Sequence, residues 1–215
     1  MPTRQEIVEA AGRDLDDDLD EVGKGALAGG IGHGMLSLDL AAMDVEEAVG
    51  GQRAIRSFGP QPLAEDDLPA ILHAGRRAGS SKNLQRWHFV VVRDRQRLAE
   101  LAAVGPSAGH VAGAAAAVAL VTPDPAAADA PLSVMWDLGR AAQNMTLVAW
   151  ARGIGSVPAT VYEQALCRRI LAYPADHHCE YILSFGYPAD PADLDRAPRT
   201  GGRRPLAELV HEESW

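Results

Sequence analysis

The chain has 215 residues, 47% of them hydrophobic, which suits one domain with a sizeable core. Its net charge of −9 argues against a nucleic-acid-binding surface. The two cysteines, Cys167 and Cys179, are too few for a disulfide framework and lack metal-ligand spacing, which favours a reducing compartment. No apolar run is long enough to cross a bilayer, and the N-terminus lacks a signal-peptide pattern. We therefore expect a cytoplasmic protein that binds neither nucleic acid nor membrane.

The first 42 residues differ in composition from the rest. Residues 1–40 contain nine acidic and three basic residues, so they contribute −6 of the net charge of −9. Apolar residues at helical spacing predict an acidic amphipathic helix at 4–22, and the glycines of 23–34 predict a linker. The glycine cluster has no preceding strand and no Lys-Ser/Thr ending, so it is not a phosphate loop. We expect residues 1–42 to be an arm that packs or docks, with the partner subunit as one candidate surface, and residues 43–215 to be the functional domain.

The body of the chain alternates between helical and strand patterns. Taken in chain order, helices are predicted at 45–49, 63–78, 95–103, 132–152 and 161–171, and strands at 89–92, 114–122 and 181–185. The helix at 132–152 is apolar around much of its circumference. It should therefore be buried on several sides, either at the centre of the domain or against a second subunit.

A polar turn runs from Ser80 to the aromatic residue Phe89, where a strand begins. The side chains of Ser80, Ser81 and Asn83 offer several hydrogen-bond donors and acceptors to one flat polar ligand. The turn follows a helix and leads into a strand, which is where α/β proteins place loops that face a ligand.

Two arginine pairs suit a phosphate group. Arg53 and Arg56 precede the aromatic Phe58, and Arg203 and Arg204 lie near the C-terminus. The planar guanidinium can donate two parallel charge-assisted hydrogen bonds to a phosphate. Each pair alone is typical of a solvated surface. Together with the polar turn, they predict a site that holds a phosphate at one end and a polar ring at the other.

These segments resemble, in order and spacing, the FMN-dependent nitroreductase family. The resemblance covers residues 43–215 and rests on five motifs: Arg53-x-x-Arg56-x-Phe58, Ser80-Ser81-x-Asn83-x-Gln85-x-Trp87-x-Phe89, Asp137-x-x-x-Ala141-x-Gln143-Asn144 with Gly153-Ile154-Gly155, Phe185-Gly186-Tyr187-Pro188, and Arg203-x-Pro205-Leu206. It implies an α+β, three-layer fold with a central mixed sheet flanked by helices. It also implies a domain-swapped homodimer with FMN at the subunit interface and the 132–152 helix in that interface.

The resemblance also implies roles for individual residues. The FMN phosphate and ribityl chain would be held by Arg53, Arg56 and Arg203, with Ala54 in the same segment. The isoalloxazine ring would be lined by Ser80, Ser81 and Asn83. The loop 157–161, with Pro158, Ala159 and Thr160, would approach the flavin, and the backbone of Thr160 and Val161 would lie near N5. Because hydride transfer occurs at N5, no side chain is needed as a catalytic nucleophile.

Several positions depart from the commonest family pattern. Gln52 and Ala54 stand where Arg and Ser are usual, which puts one phosphate contact in doubt. Arg86 stands where proline is usual, and Thr160-Val161 replaces an acidic-Gly pair. The segment 122–132 is also short, where many members insert helices that roof the site.

The resemblance implies ping-pong hydride transfer from NAD(P)H through FMN to a nitroaromatic, quinone or related acceptor. One alternative is a flavin-dependent oxidase or dehydrogenase that desaturates a peptide-like substrate. A second alternative is a flavin-binding partner protein without turnover. No metal site is expected, because three consecutive residues at His177-His178-Cys179 cannot all face one ion without strain.

Overall fold

A computed structural model describes residues 43–196 and 202–215. The elements at 45–101 are α1 Val45–Gly51, α2 Asp67–Arg76, β1 His88–Val92 and α3 Arg95–Leu101. They are followed by β2 Ala116–Pro123, α4 Ser133–Ala151, β3 Gly155–Thr160, α5 Gln164–Leu171 and β4 His177–Gly186. Short 3-10 helices occupy Ser81–Asn83, Ala108–Gly113, Pro191–Leu194 and Leu206–Glu208. The arm predicted at 1–42, with its helix and linker, lies outside the described residues.

The four described strands form one sheet in the order β1-β2-β4-β3, and every neighbouring pair is antiparallel. The expectation of a mixed sheet is therefore wrong for these strands. Parallel pairing within the described part is limited to an isolated bridge between Ala54 and Ser156. The strands β2 and β3 flank β4 and run in the same direction, so the connection through α4 returns the chain to the end of the sheet at which β2 begins.

Helices cover both faces of this sheet, which confirms the three-layer α+β arrangement. Alternate residues of β2 point to opposite faces, so Val118 and Leu120 pack with α2 and α4, whereas Ala117 and Ala119 pack with α3 and α5. The central helix α4 buries Leu138, Ala141, Met145 and Ala149 in the first of these two cores.

One predicted element has the wrong type. The segment 157–161, expected to be a loop, is mostly strand β3 at the edge of the sheet. Pro158 obscures the strand pattern, because proline lacks an N–H and suits only an edge position. The predicted helix at 161–171 correspondingly begins later, at Gln164, and the last strand is longer than predicted, starting at His177. The helix expected at 63–78 is limited to Asp67–Arg76.

The end of α4 determines where β3 begins. Gly153 has a φ of +70° and donates its N–H to the carbonyl of Trp150, while Ile154 donates to the carbonyl of Ala149. This is the Schellman arrangement that ends a helix at a left-handed glycine. A Cβ on the following Gly155 would lie 2.6 Å from the Cβ of Ile55, so only glycine allows the chain to pass so close there. The segment around Ile55 is thereby held against β3.

A buried carboxylate connects three separate parts of the domain. Asp67 accepts hydrogen bonds from Arg152 Nε at 2.9 Å, Tyr187 Oη at 2.6 Å and the backbone N–H of Ala64 at 3.1 Å. These contacts join the start of α2 to the end of α4 and to the segment after β4.

Within the described residues, no helix is long and apolar enough to cross a membrane.

Candidate flavin site

A cavity of about 380 Å³ opens between α4, the sheet and the segment 52–54. Its apolar part is lined by one stripe of α4 and by alternate residues of neighbouring strands: Met135, Leu138, Gly139, Ala142, Leu120, Pro158, Tyr181 and Leu183. Its polar part is lined by Gln52, Arg53, Gln143, Thr146, Ser156 and Arg203. A cavity of this size with an apolar wall and a few convergent polar groups is typical of a small-ligand site.

Arg53 is held in place by the end of α1. Its Nη1 donates to the carbonyl oxygens of Gly50, Gly51 and Gln52 at 2.9, 2.7 and 3.1 Å. These carbonyls belong to the last turn of the helix, where the helix dipole and free acceptors favour a cation. The buried Nε has no hydrogen-bond partner among the described residues. A buried unpaired donor in a cavity wall is costly, and an anionic ligand would satisfy it.

Gln52 and Gln143 form a second polar contact in the cavity wall. The Nε2 of Gln143 donates to the Oε1 of Gln52 over 3.0 Å, which links α4 to the end of α1. The position where the family commonly has arginine therefore presents a neutral amide, already engaged with another amide. Arg53 and Arg203 supply the positive charge among the described residues that line this cavity.

The structure brings together only part of the predicted site. Four of the predicted residues line the cavity, namely Arg53, Ala54, Pro158 and Arg203. Arg56 does not line it, and its charge lies close enough to His110 to influence that side chain. Burial lowers the pKa of His110, and the positive charge of Arg56 lowers it further.

The backbone N–H groups predicted to lie near flavin N5 differ in whether the sheet already uses them as hydrogen-bond donors. The N–H of Val161 donates to the carbonyl of Glu180 over 2.9 Å, so it is occupied by the sheet. Because backbone N–H groups alternate along an antiparallel strand, the N–H of Ala159 also points toward β4, whereas that of Thr160 points away from it. The side chain of Ala159 is fully buried in the core on the α3 and α5 side. Thr160 is therefore the better candidate for an outward donor.

Ser80, Ser81 and Asn83 lie on the far side of α4 from the cavity. The N–H of Ser81 donates to Asp137 Oδ2 over 2.9 Å. Asp137 is two positions after Met135 on a helix with 3.6 residues per turn, so it faces away from the stripe that lines the cavity. Within one chain, the predicted ring-binding loop and the predicted phosphate-binding arginines do not meet.

The Ser80 loop has an unusual backbone. Lys82, Asn83 and Gln85 have φ values of 52°, 54° and 45°, in the left-handed region that residues other than glycine seldom occupy. Ser80 Oγ accepts the N–H of Gln85 at 3.0 Å, which holds the loop closed. The departure at Arg86 fits this conformation. A proline at 86 would push Gln85 into extended backbone, which differs from the conformation observed.

Several cavity residues are not indicated directly by the sequence, including Met135, Thr146, Ser156 and Tyr181. Two periodic patterns in the sequence nevertheless indicate which of these residues share a face of a helix or strand. Met135, Leu138, Ala142 and Thr146 follow helical spacing, and Tyr181 and Leu183 follow strand spacing. Which of these stripes face each other depends on how β3 and β4 pair, and β3 was not predicted.

Known proteins with similar sequences match most of this domain. The model of the nitroreductase family matches residues 49–187, well over half of the chain.

The chain belongs to the nitroreductase family.

One relative of this nitroreductase-family protein comes from Archaeoglobus fulgidus and is provisionally named an NADH dehydrogenase/NAD(P)H nitroreductase. The two sequences are 32% identical over 170 residues, which cover 76% of this chain and 94% of the relative. The NADPH-flavin oxidoreductase of Vibrio harveyi is 27% identical, with 79% of this chain and 73% of that protein covered. Nitroreductase A from Vibrio parahaemolyticus has a similar solved structure, with a TM-score of 0.69, 26% identity, and coverage of 79% of this chain and 76% of that one.

A second solved structure, the FMN-dependent nitroreductase from Clostridium difficile, has a TM-score of 0.67 and 22% identity, with coverage of 78% of this chain and 98% of that one. These likenesses confirm the nitroreductase-like fold.

Proposed function

We propose that this protein is an FMN-dependent oxidoreductase that takes reducing equivalents from NAD(P)H and delivers them to a nitroaromatic, quinone or related acceptor. The observation that carries the proposal is a cavity that combines two arginines in its polar part with an extensive apolar wall. FMN has a matching division, with a phosphate at one end and a largely apolar ring system at the other. The names of the Vibrio harveyi and Clostridium difficile relatives, which mention flavin and FMN, support the same cofactor.

The residues of the cavity fit this cofactor. The unpaired buried Nε of Arg53 and the guanidinium of Arg203 would hold the phosphate. Thr146 and Ser156 offer hydroxyl groups suited to the ribityl chain, and Leu138 offers an apolar contact for the ring. When bound, FMN would accept hydride from the nicotinamide and pass it to the acceptor. The role of the chain is to bind and orient both, and no side chain need form a covalent bond.

The homodimer is the second part of the proposal. Because the Ser80 loop and the cavity lie on opposite sides of α4, a two-fold assembly could place the loop of one protomer on the cavity of its partner. Large apolar side chains are also exposed on one protomer. Leu132 and Trp136 on or next to α4 are 102% and 70% exposed, and the C-terminal segment exposes Leu206, Leu209 and Val210. Such exposure is typical of a surface that a partner covers, and an exchanged tail would cover it.

The first experiment is an anaerobic titration of the purified full-length protein with NADPH and with NADH. We expect the isolated protein to show the flavin absorption spectrum and its yellow colour to bleach on addition of a nucleotide. A protein that binds no flavin would refute the proposal. If the protein binds flavin but neither nucleotide bleaches that flavin, the result would support the alternative of a binding protein without turnover.

Neighbouring arginines provide a matched test of the phosphate assignment. Arg203 lines the cavity, whereas its neighbour Arg204 does not. Arg203→Gln should therefore raise the dissociation constant for FMN by about tenfold or more, as expected for the loss of one charge-assisted hydrogen bond. Arg204→Gln removes the same charge and should leave FMN binding unchanged. Equal effects of the two substitutions would mean that Arg203 acts only through general electrostatics.

One observation favours the alternative of a flavin-dependent enzyme that desaturates a peptide-like substrate. The connection between β2 and α4 contains no helix between Pro123 and Ser133, so no inserted helix from that connection roofs the cavity. An open site would admit a bulky peptide-like substrate. Reduction of the bound flavin by such a peptide in the absence of NAD(P)H would favour this direction of electron flow.

A further inference from the structure

A basic surface surrounds the Ser80 loop, although the chain as a whole is acidic. No acidic residue occurs between Asp67 and Asp94, whereas that interval contains several basic residues. The basic surface is defined here by Arg77, Lys82, Arg86 and Arg140. Positive charge concentrated on one face of a protein with a net charge of −9 would attract an anionic ligand specifically to that face.

Arg140 extends this surface onto helix α4. A Cβ on Gly79 would lie 2.5 Å from Nη2 of Arg140, so the guanidinium occupies the space that a side chain at 79 would need. Arg140 also follows Gly139 and precedes Gln143 by less than one turn, and both of those residues line the cavity. The guanidinium therefore lies beside the Ser80 loop, on a residue whose neighbours along α4 line the cavity.

The cations of this surface are available for a ligand. Among the described residues, the side chains of Lys82, Arg86 and Arg140 form no hydrogen bond or ion pair, and Lys82 and Arg140 are exposed. Asp137, the carboxylate that contacts the loop, is buried and accepts the N–H of Ser81. Lys82 is held in a left-handed conformation, with a φ of 52°, which fixes the direction of its side chain from the loop. Strained backbone at an exposed loop is typical of ligand-contacting segments.

We propose that this basic surface binds the 2′-phosphate of NADPH, so that the protein uses NADPH in preference to NADH. The two nucleotides differ only in that phosphate, which carries a charge of nearly −2 and accepts hydrogen bonds from arginine and lysine. The inference rests on the proposed function and its homodimer, because the basic surface of one protomer would lie beside the cavity of its partner, where the electron donor reduces the flavin. The inference goes beyond the proposed function because it names the nucleotide that the protein prefers and the side chains that select it.

The experiment compares four proteins: the wild type, Arg140→Gln, Lys82→Gln, and Arg97→Gln as a control. Arg97 is an exposed residue of α3 outside the basic surface, so its replacement removes the same charge elsewhere. The ratio of kcat/KM for NADPH to that for NADH is measured for each. We expect the wild type to favour NADPH and the ratio to fall about tenfold in Arg140→Gln and Lys82→Gln, as for loss of one charge-assisted hydrogen bond. Arg97→Gln should keep the wild-type ratio.

A binding measurement separates this inference from the proposed function. Calorimetry with adenosine 2′,5′-bisphosphate and with adenosine 5′-monophosphate reports on the 2′-phosphate whether or not the flavin is reduced. Tighter binding of the bisphosphate by the wild type, lost in Arg140→Gln, would support the inference. Equal binding of the two nucleotides, or a ratio of kcat/KM that the substitutions leave unchanged, would overturn it. Failure of both NADPH and NADH to reduce the flavin would instead refute the reductase, and the calorimetry would still decide on the phosphate site.

Discussion

The side-chain amide of Gln143 donates a hydrogen bond to Oε1 of Gln52 across 3.0 Å, joining the central helix to the end of the first helix in the wall of the cavity. Gln52 stands where the nitroreductase family pattern commonly has an arginine. It leaves Arg53 and Arg203 to provide the positive charge of the described cavity wall.

Gln52→Arg should therefore tighten FMN binding. The substitution breaks the amide pair but adds a third cation at the polar part of the cavity, and we expect the dissociation constant for FMN to fall about tenfold. Fluorescence quenching of FMN titrated with apoprotein measures this. Ala99→Arg adds the same charge at an exposed position of α3 and is the control. If both variants tighten binding equally, the effect is one of net charge rather than of position.

Trp136→Glu should separate the protomers of the proposed homodimer. The side chain is 70% exposed on α4, and a carboxylate there would be costly to bury against a partner. Sedimentation should show a shift toward monomer, with weaker FMN binding at the same protein concentration. Tyr162, 65% exposed elsewhere, gives the control Tyr162→Glu, which should keep the mass of the wild type. A dimer that persists in Trp136→Glu would place the interface on another surface.

Arg86→Pro should destabilise the Ser80 loop even though proline is common at this position in the family. Gln85 has a φ of 45°, and the residue before a proline is forced toward extended backbone. We expect a loss of about 1–3 kcal/mol in the free energy of unfolding, the usual range for a conflict at a special backbone conformation. Chemical denaturation measures it, and Arg86→Gln, which removes the charge without restricting Gln85, should cost much less.

Asp67→Asn should lower the stability of the domain and change its response to acid. Burial raises the pKa of Asp67, but the hydrogen bonds from Tyr187 and Arg152 outweigh it, so the pKa lies below its ordinary value. The ionised carboxylate therefore stabilises the folded state above the unfolded pKa of about 3.9, and this contribution is lost as the pH falls through the lower folded pKa.

We expect Asp67→Asn to cost about 2 kcal/mol at pH 7, since it weakens hydrogen bonds to a charged group. Unfolding midpoints measured from pH 7 down to pH 3 test this. The variant should lose less stability over that interval than the wild type does. Parallel pH profiles for the two proteins would show that another carboxylate governs the acid response.

Ala172→Gly should stabilise the domain. Ala172 ends α5 with a φ of 57°, a position that glycine occupies without steric cost. A gain of about 1 kcal/mol is expected from relief of this strain. Ala165→Gly, within the same helix and exposed, should have the opposite sign because glycine is a poor helix former. Loss of stability in both variants would show that the left-handed conformation at Ala172 carries no strain.

The sequence by itself determined the helices and the strands with uninterrupted patterns, and it predicted a ligand with a phosphate group. Helix α4 and strand β2 are long apolar segments whose period decides their type, and Arg53 and Arg203 were recognised because guanidinium groups suit phosphate. Residues close in sequence were sufficient for the elements, whereas the ligand prediction combined short motifs from separate parts of the chain.

Only the tertiary structure decided how these parts are arranged. It showed that Pro158 belongs to an edge strand, that Val161 donates to Glu180, and that Gln143 reaches Gln52. It also placed the Ser80 loop and the cavity on opposite sides of α4, so the two halves of the predicted site do not meet in one chain. Such relationships depend on strand pairing and helix orientation between residues far apart in the sequence, which local periodicity does not encode.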